Sequence, residues 1–307
     1  MSSKLPSTVF YAWLSAARPR TLLLAIANIL MGIFLAASRG KADFAVGLLC
    51  IITAVLLQIL SNLANDYGDA RHGLDNDERV GPKRAVQSGL ISQNDMLRGV
   101  IVSAALCVVS GLSLLVAAFG LSNLPLTLLF VALGGAAIWA AVAYTATDKP
   151  YGYAGLGDGM VFVFFGLVAV LGSYFLQANS SSWDLLLPAA ASGFLSVAVL
   201  NVNNVRDLES DKKAGKRSLP VRLGARNARL YHSLLLILSA LCALLYVLLN
   251  YRSPWQYLFV LSLPLLVINA VKLWRGRSAA DIDPLLKHMS ISTLVFTLLF
   301  SLGQVIG

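Results

Sequence analysis

Nine stretches of nearly pure hydrocarbon sequence, each close to the length of a membrane-spanning helix, leave this chain few ways to fold. They lie near 19–38, 44–63, 98–119, 124–146, 157–177, 184–204, 229–250, 254–273 and 287–306. A helix of about 20 apolar residues crosses about 30 Å of hydrocarbon and satisfies its own backbone donors and acceptors there. With 57% hydrophobic residues, only 13% charged ones and a mean hydropathy of +0.74, the chain is too apolar for a water-soluble domain. We expect an all-α, polytopic membrane protein with about nine transmembrane helices, forming one domain over 1–307. The N-terminal stretch ends in Leu35-Ala36-Ala37-Ser38 and faintly mimics a signal peptide, but eight further spans favour an uncleaved first helix.

The formal charge of +9 is unevenly placed. With the N-terminus on the cytoplasmic side, every Lys and Arg except Arg39, Lys41 and Arg252 falls in a cytoplasmic segment. That bias is the positive-inside pattern and puts the C-terminus outside. No basic face carries interleaved stacking aromatics, so nucleic acid is not an expected partner. Cys50, Cys107 and Cys242 each sit in an apolar stretch without metal-ligand spacing and read as packing residues.

Two acidic clusters stand where apolar spans run out. The first is Asn62-Leu63-Ala64-Asn65-Asp66-Tyr67-Gly68-Asp69, and the second is Asn203-Asn204-Val205-Arg206-Asp207-Leu208-Glu209-Ser210-Asp211. Each has an Asn four residues before its first Asp and a second Asp one helical turn later, a weak internal echo between two halves. Carboxylates at i, i+3 or i, i+4 share a helix face. Acidic residues at membrane-helix ends are costly and therefore functional candidates. Each cluster opens a long loop, about 64–97 and 205–228, with Ser92-Gln93-Asn94-Asp95 reading as the cap of a short helix.

Magnesium commonly takes one or two carboxylates plus substrate phosphates. Asp66 with Asp69, and Asp207 with Asp211, are the candidate metal-holding and catalytic pairs for a diphosphate bridging two ions. Arg71, Lys83, Arg84, Lys149, Arg206, Lys212 and Arg217 are candidate diphosphate-binding groups, although for any one of them enforcement of topology is an equal reading. Asn62, Asn65, Asn201, Asn203 and Asn204 either join helices or orient the carboxylates and water. Tyr144, Tyr151 and Tyr153 surround Lys149; their faces suit a cation, and they equally suit a membrane-interface belt. Phe162, Phe164 and Phe165 read as lipid or core packing. His72, His232 and His288 lack metal-ligand spacing and read as surface or interfacial residues, and the role of Asp158 stands open.

These motifs resemble the UbiA superfamily of intramembrane aromatic prenyltransferases, whose members carry Asn-Asp-x-x-Asp-x-x-x-Asp and Asp-x-x-x-Asp. Asn65-Asp66-x-x-Asp69 and Asp207-x-x-x-Asp211 match, and the likeness covers nearly the whole chain from Arg18-Pro19-Arg20-Thr21 onward. The third acidic position is Gly73 here, and the next carboxylate is Asp75. The run Leu57 to Asp69, the segment Lys149-Pro150-Tyr151-Gly152-Tyr153 through Gly157-Asp158, and Asn203-Asn204-x-Arg206-Asp207 are most similar to members acting on 1,4-dihydroxy-2-naphthoate. The resemblance implies nine helices around a central cavity capped by cytoplasmic loops, Mg2+ dependence and a lateral opening for a lipid tail. It also implies a polyprenyl diphosphate donor, an aromatic acceptor, loss of CO2 and diphosphate, and residence in the inner membrane for menaquinone synthesis. Relatives using 4-hydroxybenzoate, homogentisate or haem share the metal chemistry. A cation-coupled transporter is the other class, but its carboxylates would sit nearer the membrane midplane.

Overall fold

The computed structural model describes residues 6–73, 84–120 and 123–307. Among these, nine helices are long and apolar enough to cross a membrane. An additional short helix, α1 (Pro6–Ala17), precedes the first span and was not legible in the hydropathy. The spans are α2 (Pro19–Ala37), α3 (Phe44–Arg71), α4 (Gln93–Phe119), α5 (Leu124–Ala143), α6 (Gly157–Ala178) and α7 (Trp183–Arg206). A six-residue helix, α8 (Leu208–Lys213), separates these from α9 (Leu219–Leu249), α10 (Pro254–Arg275) and α11 (Ala279–Ile306).

The helices form two packed groups. In one, α3 lies against α4, α5 and α1; in the other, α7 packs on α9 and α11. Helix α2 ties them together by packing on α11 as well as on α3 and α6. The larger apolar core runs through the second group and includes Met31, Leu35, Leu195, Phe259, Phe296 and Phe300, all 0–1% exposed. Outward faces stay apolar and open: Val109, Leu128, Trp139, Leu241 and Leu248 are exposed. Lipid tails are as apolar as a protein core, so these residues need no protein partner.

Several boundaries move relative to the sequence reading. Helix α3 does not stop at residue 63 but continues to Arg71, so Asp66 and Asp69 ride on the span itself and not in a loop. Gly68 permits this: a Cβ there would sit 2.5 Å from the Thr145 carbonyl oxygen, closer than any side chain tolerates. Ser92 caps a helix through the backbone N–H of Asp95, yet that helix is α4 in full and not a separate short one. The segment 205–228 is largely helical, through the end of α7, then α8 and the start of α9. Gly224 breaks α9 with φ 77° and ψ 162°, a conformation that glycine adopts without strain. Helix α11 begins eight residues before the apolar stretch at 287, because Ser278 and Asp281 close a reciprocal capping box. Of the histidines, His232 is fully buried and contacts the Asn269 side chain at 3.1 Å, in place of the surface or interfacial position expected.

Candidate active site

A cavity of about 940 Å³ runs between the two helix groups from the acidic end of α3 into the bundle. Asp66, Asp69, Asp207 and Asp211 all line it. The two clusters that stand about 140 residues apart in sequence therefore face one space.

The first pair is buried and densely compensated. Asp66 is 2% exposed and Asp69 3%. Asp66 receives a charged hydrogen bond from Arg18, and the Arg84 Nε lies 3.6 Å from the same oxygen. Asp69 pairs with Arg84 and accepts the Tyr153 hydroxyl, while the Lys216 Nζ stands 3.5 Å away. Arg18 reaches the site from the break between α1 and α2. It holds φ 50° and ψ 71°, left-handed values that cost a non-glycine residue energy and recur at functional sites. The following Pro19 disfavours the α conformation at Arg18, so the break is encoded locally.

The second pair sits at a helix junction. Asp207 ends α7, and Arg206 grips it with two parallel bonds of 2.7 Å each. The same guanidinium donates to Asp283 at 2.8 Å and Asn203 at 2.9 Å, so all of its arms are engaged. Asp211, on α8, lies 3.4 Å from Lys216. Burial raises the Asp211 carboxyl above its ordinary range; Lys216 opposes that shift, and the nearby Asp207 and Asp69 reinforce it. Lys216 thus bridges the two acidic clusters, and its Nζ stands 4.8 Å from the centre of the Tyr153 ring.

The asparagines divide by role. Asn62 donates to the Ala17 carbonyl at 2.8 Å and to Thr21 at 2.9 Å, fixing the α1–α2 break that presents Arg18. Asn65 accepts from Thr145 at 2.9 Å, while its backbone carbonyl receives Arg84 at the same distance. Asn203 holds Arg206, and Asn204 lines the cavity. Asn201 is fully buried away from it.

Among the proposed cations, Arg84 and Arg206 are inside the site. Arg71 pairs with Asp148 at 2.7 Å on an exposed edge, and Lys149, Lys212 and Arg217 are exposed outside the cavity wall. Lys83 and Asp75 lie outside the described residues. Sequence reasoning missed Lys216 and Asp283 as site members and read Arg18 only as part of a motif.

The chemistry of the lining changes with depth. Tyr144, Tyr151 and Tyr153 surround the polar end. Burial pushes the Tyr144 phenol far above its ordinary value and that of Tyr151 up to about 12, so both present neutral rings and hydroxyls. Phe164 and Phe165 line the wall, whereas Phe162 meets Phe194 with its ring tilted by 48° and the centroids 5.0 Å apart. His72 packs edge-on to Tyr153 at 5.6 Å, and Asp158 accepts the Tyr231 hydroxyl at 3.3 Å outside the cavity. Deeper, Cys50, Leu57, Cys107 and Ile138 make the wall apolar.

The carboxylate oxygens fit a hard divalent cation. Among the described residues no three acidic, His or Cys side chains gather closely enough to cage an ion alone. Two separate pairs suit magnesium, which fills its remaining positions with water and substrate phosphate.

The chain is 48% identical to 1,4-dihydroxy-2-naphthoate octaprenyltransferase of Escherichia coli, over 95% of this chain and 94% of that protein. It is 44% identical to the protein of that name in Haemophilus influenzae, over 100% and 99%. The structure resembles that of a UbiA homolog from Aeropyrum pernix with a TM-score of 0.71 at 16% identity, covering 94% of this chain and 98% of the other. A UbiA homolog from Archaeoglobus fulgidus bound to GPP and Mg2+ aligns with a TM-score of 0.64 at 17% identity, over 96% and 100%. Residues 25–294 match the UbiA prenyltransferase family, and with two acidic pairs facing one intramembrane cavity, the chain belongs to that family.

Proposed function

We infer that this integral membrane enzyme transfers a polyprenyl group from its diphosphate to 1,4-dihydroxy-2-naphthoate, releasing CO2 and diphosphate and yielding demethylmenaquinol. The observation that carries the reading is the convergence of Asp66, Asp69, Asp207 and Asp211 on the polar mouth of an apolar cavity. The naphthoate relatives at 40–48% identity supply the acceptor. The solved relative bound to GPP and Mg2+ supports a divalent metal here.

The Asp66–Asp69 and Asp207–Asp211 pairs would each hold a magnesium ion, whose chemistry is Lewis-acid neutralisation of the departing diphosphate. Arg18, Arg84 and Lys216 already balance these carboxylates. When the diphosphate arrives, the same cations are within reach of its oxygens and can orient it bidentately. The allylic carbon–oxygen bond breaks with its electron pair leaving on diphosphate. The ring carbon bearing the carboxylate forms the new carbon–carbon bond. The pair from the carbon–carboxylate bond then returns to the ring as CO2 departs, so restoration of aromaticity needs no strong base. Tyr144, Tyr151 and Tyr153 offer neutral aromatic faces to the positive charge developing on the allyl group. Asn62 and Asn65 hold Arg18 and Arg84 in place.

The basic bias supports an orientation with the mouth, the N-terminus and the α7–α9 connection on the cytoplasmic side and the C-terminus outside, and we assign the protein to the inner membrane. The apolar depth of the cavity takes the prenyl tail, and the nine spans act as one domain.

Mass spectrometry of products tests the reading. Purified protein receives Mg2+, a polyprenyl diphosphate and an equimolar mixture of dihydroxynaphthoate and 4-hydroxybenzoate. Demethylmenaquinone with CO2 release is the expected result. A prenylated benzoate would overturn the acceptor while keeping the family chemistry.

A further inference from the structure

The cavity has a floor. At its outer end Phe130 of α5 lines the wall and stacks on Phe175 of α6, with centroids 5.7 Å apart and planes 29° apart. Phe119 of α4 meets both rings edge-on, at 5.4 Å and 6.3 Å. Three helices are thus joined by an aromatic trio, of which Phe119 and Phe130 pack against an outer apolar cluster that includes Ile29, Cys50, Leu114, Leu115 and Leu176. Among the described residues α5 packs on α3 and α4 along its length, while α5 and α6 make no comparable contact. A Cβ at Gly134 or Gly135, on the cavity side of α5, would meet open space.

The distance from the carboxylates to this floor can be read along two helices. Cys50 lies sixteen residues before Asp66 on α3, a rise of about 24 Å; Phe130 lies fourteen residues before Tyr144, about 21 Å. Three backbone bonds span at most about 3.6 Å in a peptide, so the four bonds of an isoprene repeat span roughly 4.8 Å. The shaft therefore holds about four to five extended repeats between the diphosphate end and the trio.

Resting on the prenyl-transfer reading, we propose that the Phe119–Phe130–Phe175 trio is the end-stop of a gauge for the first four to five isoprene repeats. Any longer tail turns out through the α5–α6 seam into lipid. Repeats inside the shaft replace lipid contacts with fixed van der Waals partners, which discriminates between lengths. Repeats beyond the trio pass from lipid to lipid and are not discriminated. Phe130 is the specificity-determining residue, since it belongs to both the wall and the trio.

A length series of prenyl diphosphates, from two repeats to eight, tests the gauge with dihydroxynaphthoate held constant. The expected kcat/KM rises with each repeat to four or five and is level from six to eight. Phe130→Ala should move the break to longer chains by at least one repeat, and Phe130→Trp should move it to shorter ones. The break is a ratio of lengths within one preparation, so partial loss of folded enzyme does not shift it. A rise that continues to eight repeats, or a break fixed in both variants, overturns the proposal. Absence of prenylated naphthoquinone at every length would instead sink the prenyl-transfer reading. The same series of unreactive thiodiphosphate analogues, read as binding, would then still locate the break.

Discussion

The two acidic pairs resemble each other in sequence and differ in construction. Asp66 and Asp69 lie on a continuous helix, almost fully buried, with Arg18 and Arg84 brought to them from other segments. Asp207 and Asp211 straddle the junction of α7 and α8, with side chains 11% and 14% exposed, and the cation gripping Asp207 is its own neighbour Arg206. A buried carboxylate is tolerable only when its charge is matched by fixed partners. The first pair thus depends on tertiary assembly, whereas the second carries part of its compensation locally. Lys216 touches both and makes them one site.

The sharpest test of whether the pairs are functionally equal is charge removal on each side. Asp66→Asn, Asp69→Asn and Asp207→Asn should each lower kcat/KM by roughly 100- to 1,000-fold, the scale of losing a preorganised electrostatic group. Product formation in reconstituted vesicles reads this; a large loss confined to one pair would break the equivalence. Arg206→Met probes the local compensation. It strands Asp207 and leaves Asp283 only the Arg20 Nη1 at 3.9 Å, and breaking a buried pair costs about 3 kcal/mol. A lowered thermal midpoint in detergent is expected, with a smaller drop for Asp283→Asn. Lys216→Met should cut turnover about tenfold or more by removing a charged bond to both pairs, and Lys216→Arg should recover part of it. Arg71→Ala and Lys149→Ala should change activity by less than about twofold, because Arg71 is held in an exposed ion pair and Lys149 is exposed outside the cavity wall.

The sequence carried the spans and the acidic pairs because both are short-range patterns. Hydrophobic runs report burial in lipid directly, and Asp-x-x-Asp spacing reports a helix face directly. What it could not show was how far the helices continue once polar residues enter. Helix α3 keeps its hydrogen bonds through Asn62, Asp66 and Asp69 because these side chains find partners on α1, α2 and the 84–91 segment. Asp283 was hidden for the related reason that a capping box, not hydropathy, starts α11. Lys216 and Arg18 reach the site by long-range packing, which no local spacing announces. Arg71, Lys149 and Lys212 show the converse, since a basic residue next to a motif in sequence can still face away from it.

On this reading both pairs hold one metal-bound diphosphate between them. Binding of an unreactive polyprenyl thiodiphosphate to detergent-purified protein, titrated with Mg2+, tests it most directly when wild type, Asp66→Asn and Asp207→Asn are compared. Mg2+-dependent binding is expected in wild type and its loss in each variant, with the proteins otherwise folded. Undiminished Mg2+-dependent binding in either variant would contradict it.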